Sequence, residues 1–408
     1  MRTFFLLLLP VLIFADDLRS ILDAAHQNND LLLSSKFKKE AKEREVESKK
    51  SDFFPTVDIG ASYQNTSDTT LFQIRDIYAG YGKIEMDIYD GGIKSSLLSK
   101  TKDEFRGAVH DEEQMKKSLS LQIVQDFYNI KSLESSLRAK EDAGKSLQEQ
   151  LGRIKQFYDA KLATQDDIER LQASYDNNLY EIEALSFEML SVKKSLELKV
   201  GKEIESFDAS GFKEAELFDL EPSDEIKSLT YKVSAMKNSA EALEGAYYPN
   251  VKLEDKYTIY GYDDIAPNHP AKIDRQNVLM LSLNMRIFDY SSTSESKQAL
   301  MLNSKALSQE ISYMSKEQKM RHEISVARVK SSKLKIRSAK SALNAAFSAF
   351  AIINEKYNAG IVDYVIYLDA LSAKTDASAL YEKSLNDLEV AYAMFYYYGG
   401  KKLKDFIK

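Results

Sequence analysis

Four histidines, His26, His110, His269 and His322, are the residues best able to hold a metal or pass a proton near neutral pH, and they are scattered. None stands in the His-Glu-x-x-His spacing that sets two imidazoles and a general base on one helix face. The chain has no cysteine, which excludes a disulfide framework, a thiolate metal site and a cysteine nucleophile. Gly80-x-Gly82, followed later by Gly91-Gly92, lacks the spacing of a phosphate-cradling loop and reads as strand and turn chemistry. The paired carboxylates Glu112-Glu113 and Asp166-Asp167 fall in stretches of helical spacing, where they read as solvated faces. The formal net charge of −7 is spread along 408 residues, with no basic stripe for a nucleic acid. These residues offer no catalytic constellation, no cofactor site and no metal site.

The elements around them are more informative. The chain repeats itself at a spacing of 199 residues: Asp90 recurs as Asp289, Tyr158 as Tyr357 and Gly201 as Gly400. The flanks agree in kind, Ile88-Tyr89-Asp90 against Ile287-Phe288-Asp289. A solenoid unit runs about 20–50 residues, so this period means one structural half built twice. Residues 1–15 read as a secretory signal peptide, with Arg2, the apolar run Phe4–Phe14 and the small residue Ala15 before Asp16-Asp17. The plan that follows is a first repeat over 16–201, an irregular linker over 202–222 and a second repeat over 223–408.

Residues 56–221 and 271–408 contain no proline and are free to form very long helices. After Pro55 and Pro249 the sequence alternates with period two. Val57, Ile59, Ala61 and Tyr63 share one face, as do Ile84, Met86 and Ile88. In the second repeat Val251, Leu253, Tyr257 and Ile259 do so, interrupted by Asp255, and the alternation from Leu279 continues through Leu281, Leu283, Met285 and Ile287. Such runs make strands with one apolar and one polar face, in pairs over about 54–90 and 249–290. Tyrosines gather at the strand ends, as in the interfacial girdles of outer-membrane barrels. Elsewhere apolar residues fall three and four apart, for example Leu119, Ile123, Phe127, Ile130, Leu133 and Leu137, then Leu147, Leu151, Ile154 and Tyr158. This is a coiled-coil seam. Long helices are expected over about 92–158 and 292–357, each about 100 Å at 1.5 Å per residue. Return helices follow over about 165–200 and 364–399, and shorter helices over about 17–51 and 223–246 lead into the strands.

Four membrane strands cannot close a barrel, whose known minimum is eight, and an open edge cannot sit in lipid. The chain must therefore share a barrel with copies of itself. Two copies supply eight strands and a filled interior; three supply twelve and room for water.

Several pieces, taken in order and twice over, resemble the TolC family of outer-membrane efflux proteins. They are Phe54-Pro55-x-Val57 and Tyr248-Pro249-x-Val251 entering the strands, Ile88-Tyr89-Asp90-Gly91-Gly92 leaving one, and Tyr357-x-x-Gly360 followed by Leu368-Asp369-Ala370 and Gly400. The first half keeps Asp167-Ile168 and closes with Gly201. The resemblance implies a mainly α fold with membrane β structure: a duplicated unit of long coiled-coil helices and four membrane strands, forming as a homotrimer a shared 12-stranded β-barrel and an α-helical tunnel. It implies the outer membrane of a Gram-negative bacterium, with the tunnel in the periplasm and the barrel in outer-membrane lipid. The implied partners are a periplasmic adaptor (membrane fusion protein) and an inner-membrane RND or ABC transporter. The implied activity is an exit duct for efflux or type I secretion, with no enzyme activity.

By motif position Asp369 matches an aspartate ring that closes the family's tunnel. The usual partner three residues earlier is Ile366 here, and Asp363 lies three residues before that. Asp363, Ile366 and Asp369 then fall near one helix face, a gate of one or two acidic rings around an apolar collar. Asp167 is the motif aspartate of the first half; the arginine that would pair with it two residues after Gly360 is replaced by Val362. Tyr357 matches a tyrosine that hydrogen-bonds across neighbouring coils. The adaptor is expected at Ala160, Lys161 and Leu162 and at Gly360, Ile361 and Val362, where Lys161 stands in the place of Gly360. The competing class is a secreted coiled-coil adaptor or structural protein, which explains the seams but not four strands edged by tyrosine.

Overall fold

The computed structural model describes residues 17–67, 73–208, 210–216, 218–263 and 269–408. The expected signal peptide, Pro267 and the centres of both strand-to-strand tips lie outside them. In chain order the elements are α1 (Leu18–Asn28), α2 (Asp30–Ser51), β1 (Thr56–Asn65), β2 (Asp76–Tyr89), α3 (Ile93–Asp159), α4 (Gln165–Val200), α5 (Asp224–Glu244), β3 (Asn250–Tyr262), β4 (Arg275–Asn284), α6 (Ser292–Asn358) and α7 (Tyr364–Tyr398). The fold is mainly helical with one small sheet. It divides into a unit of residues 36–111 and 225–314, which holds the sheet, and a unit made of the described residues up to Ser35 with 112–224 and 315–408. No described helix is long and apolar enough to cross a membrane.

The sheet is antiparallel in the order β1-β2-β3-β4. Its register carries the repeat residue for residue. Thr56 faces Glu85 and Asn65 faces Asp76 in the first hairpin, while Asn250 faces Asn284 and Ile259 faces Arg275 in the second. One face is apolar and exposed in the single chain: Val57, Ile59, Ile84, Leu279, Leu281 and Leu283 all lie on it. The other face is charged and self-neutralising. Lys83 Nζ stands 2.6 Å from Glu85 and 3.4 Å from Asp58, and Lys252 reaches Glu85 at 2.9 Å. The Tyr81 ring lies over Gly60, where a Cβ would meet it at 2.5 Å, and Lys256 Nζ sits 4.2 Å from that ring's centroid.

β4 stops at Asn284, although the alternation continues through Ile287. The reason is pairing. In β2 the residues beyond Glu85 have run past the end of β1 and stay in a strand because β3 pairs with them, Met86 with Leu253 and Tyr89 with Val251. Residues 285–288 have likewise passed the end of β3, and among the described residues no fifth strand stands beside them.

In the helical unit, Leu18, Ile21, Leu22, Ile123, Phe127, Leu196, Val200, Ile204 and Phe212 are buried in one cluster. The expected single helix over 17–51 is two helices. Asn29, at φ −71° and ψ 123°, interrupts it. Its side-chain oxygen accepts from Leu32 N at 3.0 Å and its amide nitrogen donates to Lys199 O at 2.8 Å, so a carbonyl 170 residues away fixes the break. The α3 seam is buried at Leu119, Ile123, Phe127, Ile130, Leu133, Leu147, Leu151 and Ile154. The second-repeat helix α6 is different: Leu302, Met320, Ile324, Leu334, Phe347 and Ile352 stay exposed in one chain.

Candidate functional site

The two turns that join the long helices to their return helices are the same structure built twice. At the end of α3, Lys161 N donates to Tyr158 O at 2.9 Å and Leu162 N to Phe157 O at 2.7 Å; at the end of α6, Gly360 N donates to Tyr357 O at 3.0 Å and Ile361 N to Lys356 O at 2.9 Å. This crossed pair is the Schellman closure, which needs a left-handed residue at its centre. Lys161 takes that place at φ 62° and Gly360 at φ 72°. A Cβ on Gly360 would meet nothing within 4 Å, so its glycine serves the backbone angle and not a close approach. Each turn then presents one apolar side chain to solvent, Leu162 at 76 % exposure and Ile361 at 71 %. In a Schellman closure that side chain commonly packs back on its own helix; here neither does. Ala160, Lys161 and Gly360 are exposed and Val362 is half-buried.

The acidic candidates have separate jobs. Asp167 belongs to a capping box at the start of α4: its carboxylate accepts from Thr164 N at 2.8 Å and from Thr164 Oγ1 at 2.7 Å, while Asp167 N donates to Thr164 Oγ1 at 3.3 Å. In the repeat, Thr164 becomes Asp363 and Asp167 becomes Ile366. The box is thereby reduced to a single cap, with Asp363 Oδ1 accepting from Ile366 N at 3.1 Å. A cap of either kind satisfies backbone N–H groups that the helix leaves open. Asp369 caps nothing. It is exposed and lines a cleft of about 360 Å³ with Lys140, Asn178, Glu181, Ser372 and Thr375. Asp363, Ile366 and Asp369 are all solvent-accessible, while Tyr367 between them is 1 % exposed.

Tyr357 stacks on Tyr367 with centroids 4.8 Å apart, inside an apolar cluster of Leu147, Leu151, Ile154, Leu171 and Leu371. Burial pushes the Tyr367 hydroxyl up to about 12. It raises Tyr357 as well; there the nearby Arg153 cation opposes the rise and the Asp167 carboxylate adds to it.

Two residues outside the motif positions tie these helices together. The Arg153 guanidinium on α3 donates to Asn358 O at 2.9 Å and to Asn358 Oδ1, clamping the last residue of α6. Lys140 Nζ, also on α3, lies 2.7 Å from Glu181 on α4 and 3.8 Å from Asp376 on α7. The one sequence signal for Arg153 is an arginine set among the seam residues Leu151, Ile154 and Tyr158; its partners are the carbonyl and the side-chain oxygen of the uncharged Asn358, which no charge-pairing motif records. Among the described residues, no three His, Asp or Glu side chains gather as metal ligands.

The model of the family described as outer membrane efflux protein matches residues 21–197. The complete fold is that of solved outer-membrane channels. The CmeC outer membrane channel of Campylobacter jejuni superposes with a TM-score of 0.83 at 14% identity, over 95% of this chain and 86% of that one. The outer membrane protein VceC of Vibrio cholerae gives 0.80 at 12% identity, over 95% and 96%. A membrane protein from Pseudomonas aeruginosa gives 0.81 at 14% identity, over 95% and 91%. Over residues 21–197 the chain is similar to the outer membrane efflux proteins, and over 95% of its length it shares the fold of these channels. No curated protein matches it by sequence. At these identities the structural likeness carries the fold alone, and the roles of this chain's residues rest on their own geometry. At the turns they form two apolar-tipped loops, a capped acidic end on α7 and a basic clamp from α3.

Proposed function

We propose that this protein is an outer membrane efflux protein, the exit duct of a tripartite efflux or type I secretion system. Three copies enclose a twelve-stranded barrel in the outer membrane, and the long helices continue its wall into the periplasm. The observation that carries this reading is the incomplete sheet. Four strands expose one apolar face and two unpaired edges, and lipid tolerates no such edge. The exposed apolar residues of α6 support it, since a surface of that kind asks for a covering partner. Detergent-extracted protein should migrate as a trimer and open ion-conducting pores in planar bilayers. A monomer that conducts nothing overturns the reading.

The gate lies at the first two turns of α7. Asp363 holds a backbone N–H, which leaves Asp369 as the carboxylate free to face the axis, with Ile366 as an apolar collar. Three such carboxylates about 6 Å apart repel by roughly 3 kcal/mol per pair at an effective dielectric near 20, so cations concentrate there and divalent ones block. The turns around Leu162 and Ile361 dock a periplasmic adaptor, which joins the duct to an RND or ABC transporter of the inner membrane. Cysteine or photo-crosslinker placed at Lys161 and Val362 should yield adducts with a co-expressed adaptor; none at either site removes the docking model.

A further inference from the structure

Residues 401–408 run across the helical unit as a strap. Phe212 of the 202–222 linker pairs antiparallel with Ile407, Lys213 N donates to Phe406 O at 2.8 Å and Lys408 N to Gly211 O at 2.8 Å. The Phe406 ring stacks on Tyr396 of α7 with centroids 3.8 Å apart, and Leu403 and Ile407 are buried. On the side of α1, Arg19 Nη2 donates to Ile407 O at 3.1 Å and Lys404 forms an ion pair with Asp23. The strap thus ties the end of α7 to both the linker and α1.

His26 lies one turn after Asp23 on the same face of α1. Its Nε2 stands 2.9 Å from Ser120 Oγ on α3. Ser120 gives its only hydrogen to Lys116 O at 2.7 Å. Its oxygen therefore accepts from His26, and the imidazole proton is fixed on Nε2. Nδ1 is the atom that takes a second proton. The charges around the ring are already matched. Lys116 lies 2.7 Å from Glu112 and 3.4 Å from Glu113 on α3, Lys402 of the strap lies 2.9 Å from Glu113, and Lys404 pairs with Asp23. Burial first, and then the Lys116 cation, hold the imidazole below its ordinary value of 6.5; Lys404 adds to this, while Asp23 and Glu113 oppose it. His26 is neutral at pH 7, and a proton bound in acid sets one more cation among three lysines and three carboxylates that already balance.

We infer that His26 is an acid-operated release for the strap: the imidazolium takes the Asp23 carboxylate from Lys404, and residues 401–408 loosen from α1. Asp23 keeps one cation, now at the i,i+3 spacing of its own helix. Lys404 is left beside a like charge and turns to solvent. The pairing with the linker remains as the strap's main hold. Linkage fixes the sign. The folded imidazole binds its proton less tightly than the free one, so the strap is fully held above pH 6.5 and gives way as pH falls through the folded value. The duct reading does not require such a release; joined to it, the release frees the end of α7 remote from Asp369.

Hydrogen exchange at the amides of residues 403–408, corrected for the intrinsic effect of pH, reads the strap without needing a pore. In the parent, protection should fall by about three- to fivefold between pH 7 and pH 5, the share of a partly exposed ion pair. His26→Gln keeps a donor for Ser120 Oγ and cannot titrate, so its protection should not fall. Glu389, which accepts from Phe212 N at 2.6 Å on the linker side of the strap, titrates alike in both proteins, and the difference between them belongs to His26. Asp23→Asn removes the contested carboxylate: its strap should be loose at pH 7 and loosen no further at pH 5. An equal fall in the parent and His26→Gln, no fall in the parent, or an undiminished fall in Asp23→Asn overturns the release. Each of these results leaves the duct reading to be decided by conductance alone.

Discussion

Lys161 and Gly360 occupy one backbone position 199 residues apart, at φ 62° and 72°. The first repeat holds with a lysine the left-handed angle that the second reaches with glycine. A left-handed L-residue costs about 1–2 kcal/mol, and glycine's extra freedom in the unfolded chain returns about 0.4–1 kcal/mol of that. Lys161→Gly is therefore expected to stabilise the protein by roughly 0.5–1 kcal/mol. Gly360→Ala should destabilise it by a similar amount, since the space around Gly360 is open and only the angle is strained. Thermal melts followed by circular dichroism check both, and a Gly360→Ala variant as stable as the parent refutes the argument.

Charge and capping can be separated at Asp363. Asparagine caps a helix about as well as aspartate, whereas alanine costs about 1 kcal/mol. Asp363→Asn should leave stability unchanged and Asp363→Ala should lower it by about that amount. If Asp369 supplies the acidic ring, Asp363→Asn leaves cation selectivity and divalent block in planar bilayers nearly intact, while Asp369→Ala abolishes the block. The reverse pattern moves the gate one turn toward the tip.

The clamp of Arg153 on Asn358 crosses from α3 to α6, two residues before Gly360. Hydrogen bonds from charged groups contribute about 1.5–3 kcal/mol when protected. This one is solvent-exposed, so about 1 kcal/mol is the expected share. Arg153→Met should loosen the ends of α3 and α6 and raise the resting conductance several-fold. Asn358→Ala should do less, because the carbonyl of residue 358 still accepts. Equal, unchanged conductance in both variants shows that the clamp holds nothing shut.

How much of this was legible in the residues depends on how local its cause is. The α3 seam was, because three-and-four spacing is a property of the helix itself. So was the φ > 0 demand at Lys161, through the glycine that fills the same place in the second repeat. The break at Asn29 was not, since it depends on the carbonyl of Lys199. The end of β4 was misread for the same reason: alternation states which face a residue takes and not whether a neighbouring strand exists. At the candidate gate, spacing along the helix from Asp369 picked out Asp363 without revealing that its carboxylate serves the Ile366 amide, and Arg153 escaped notice because its partner, Asn358, carries no charge.

Glu389 offers a pH test of the helical unit. Its carboxylate on α7 accepts from Phe212 N at 2.6 Å. Burial raises it above the ordinary carboxylate range, against the opposing pull of that N–H and of the Lys408 cation. A carboxyl group raised in the folded state binds its proton more tightly there than in the unfolded chain. Its contribution is therefore fully present below the unfolded value near 4.5 and is lost as pH rises through the folded value. Glu389→Gln keeps an oxygen to accept from Phe212 N and removes the titration. The variant should match the parent near pH 4, and above the unfolded value it should lose less stability with rising pH, ending more stable at pH 7. Chemical denaturation across that range decides it. A parent and variant whose stabilities run parallel from pH 4 to pH 7 would show that the Glu389 carboxylate is as comfortable charged in the fold as in water.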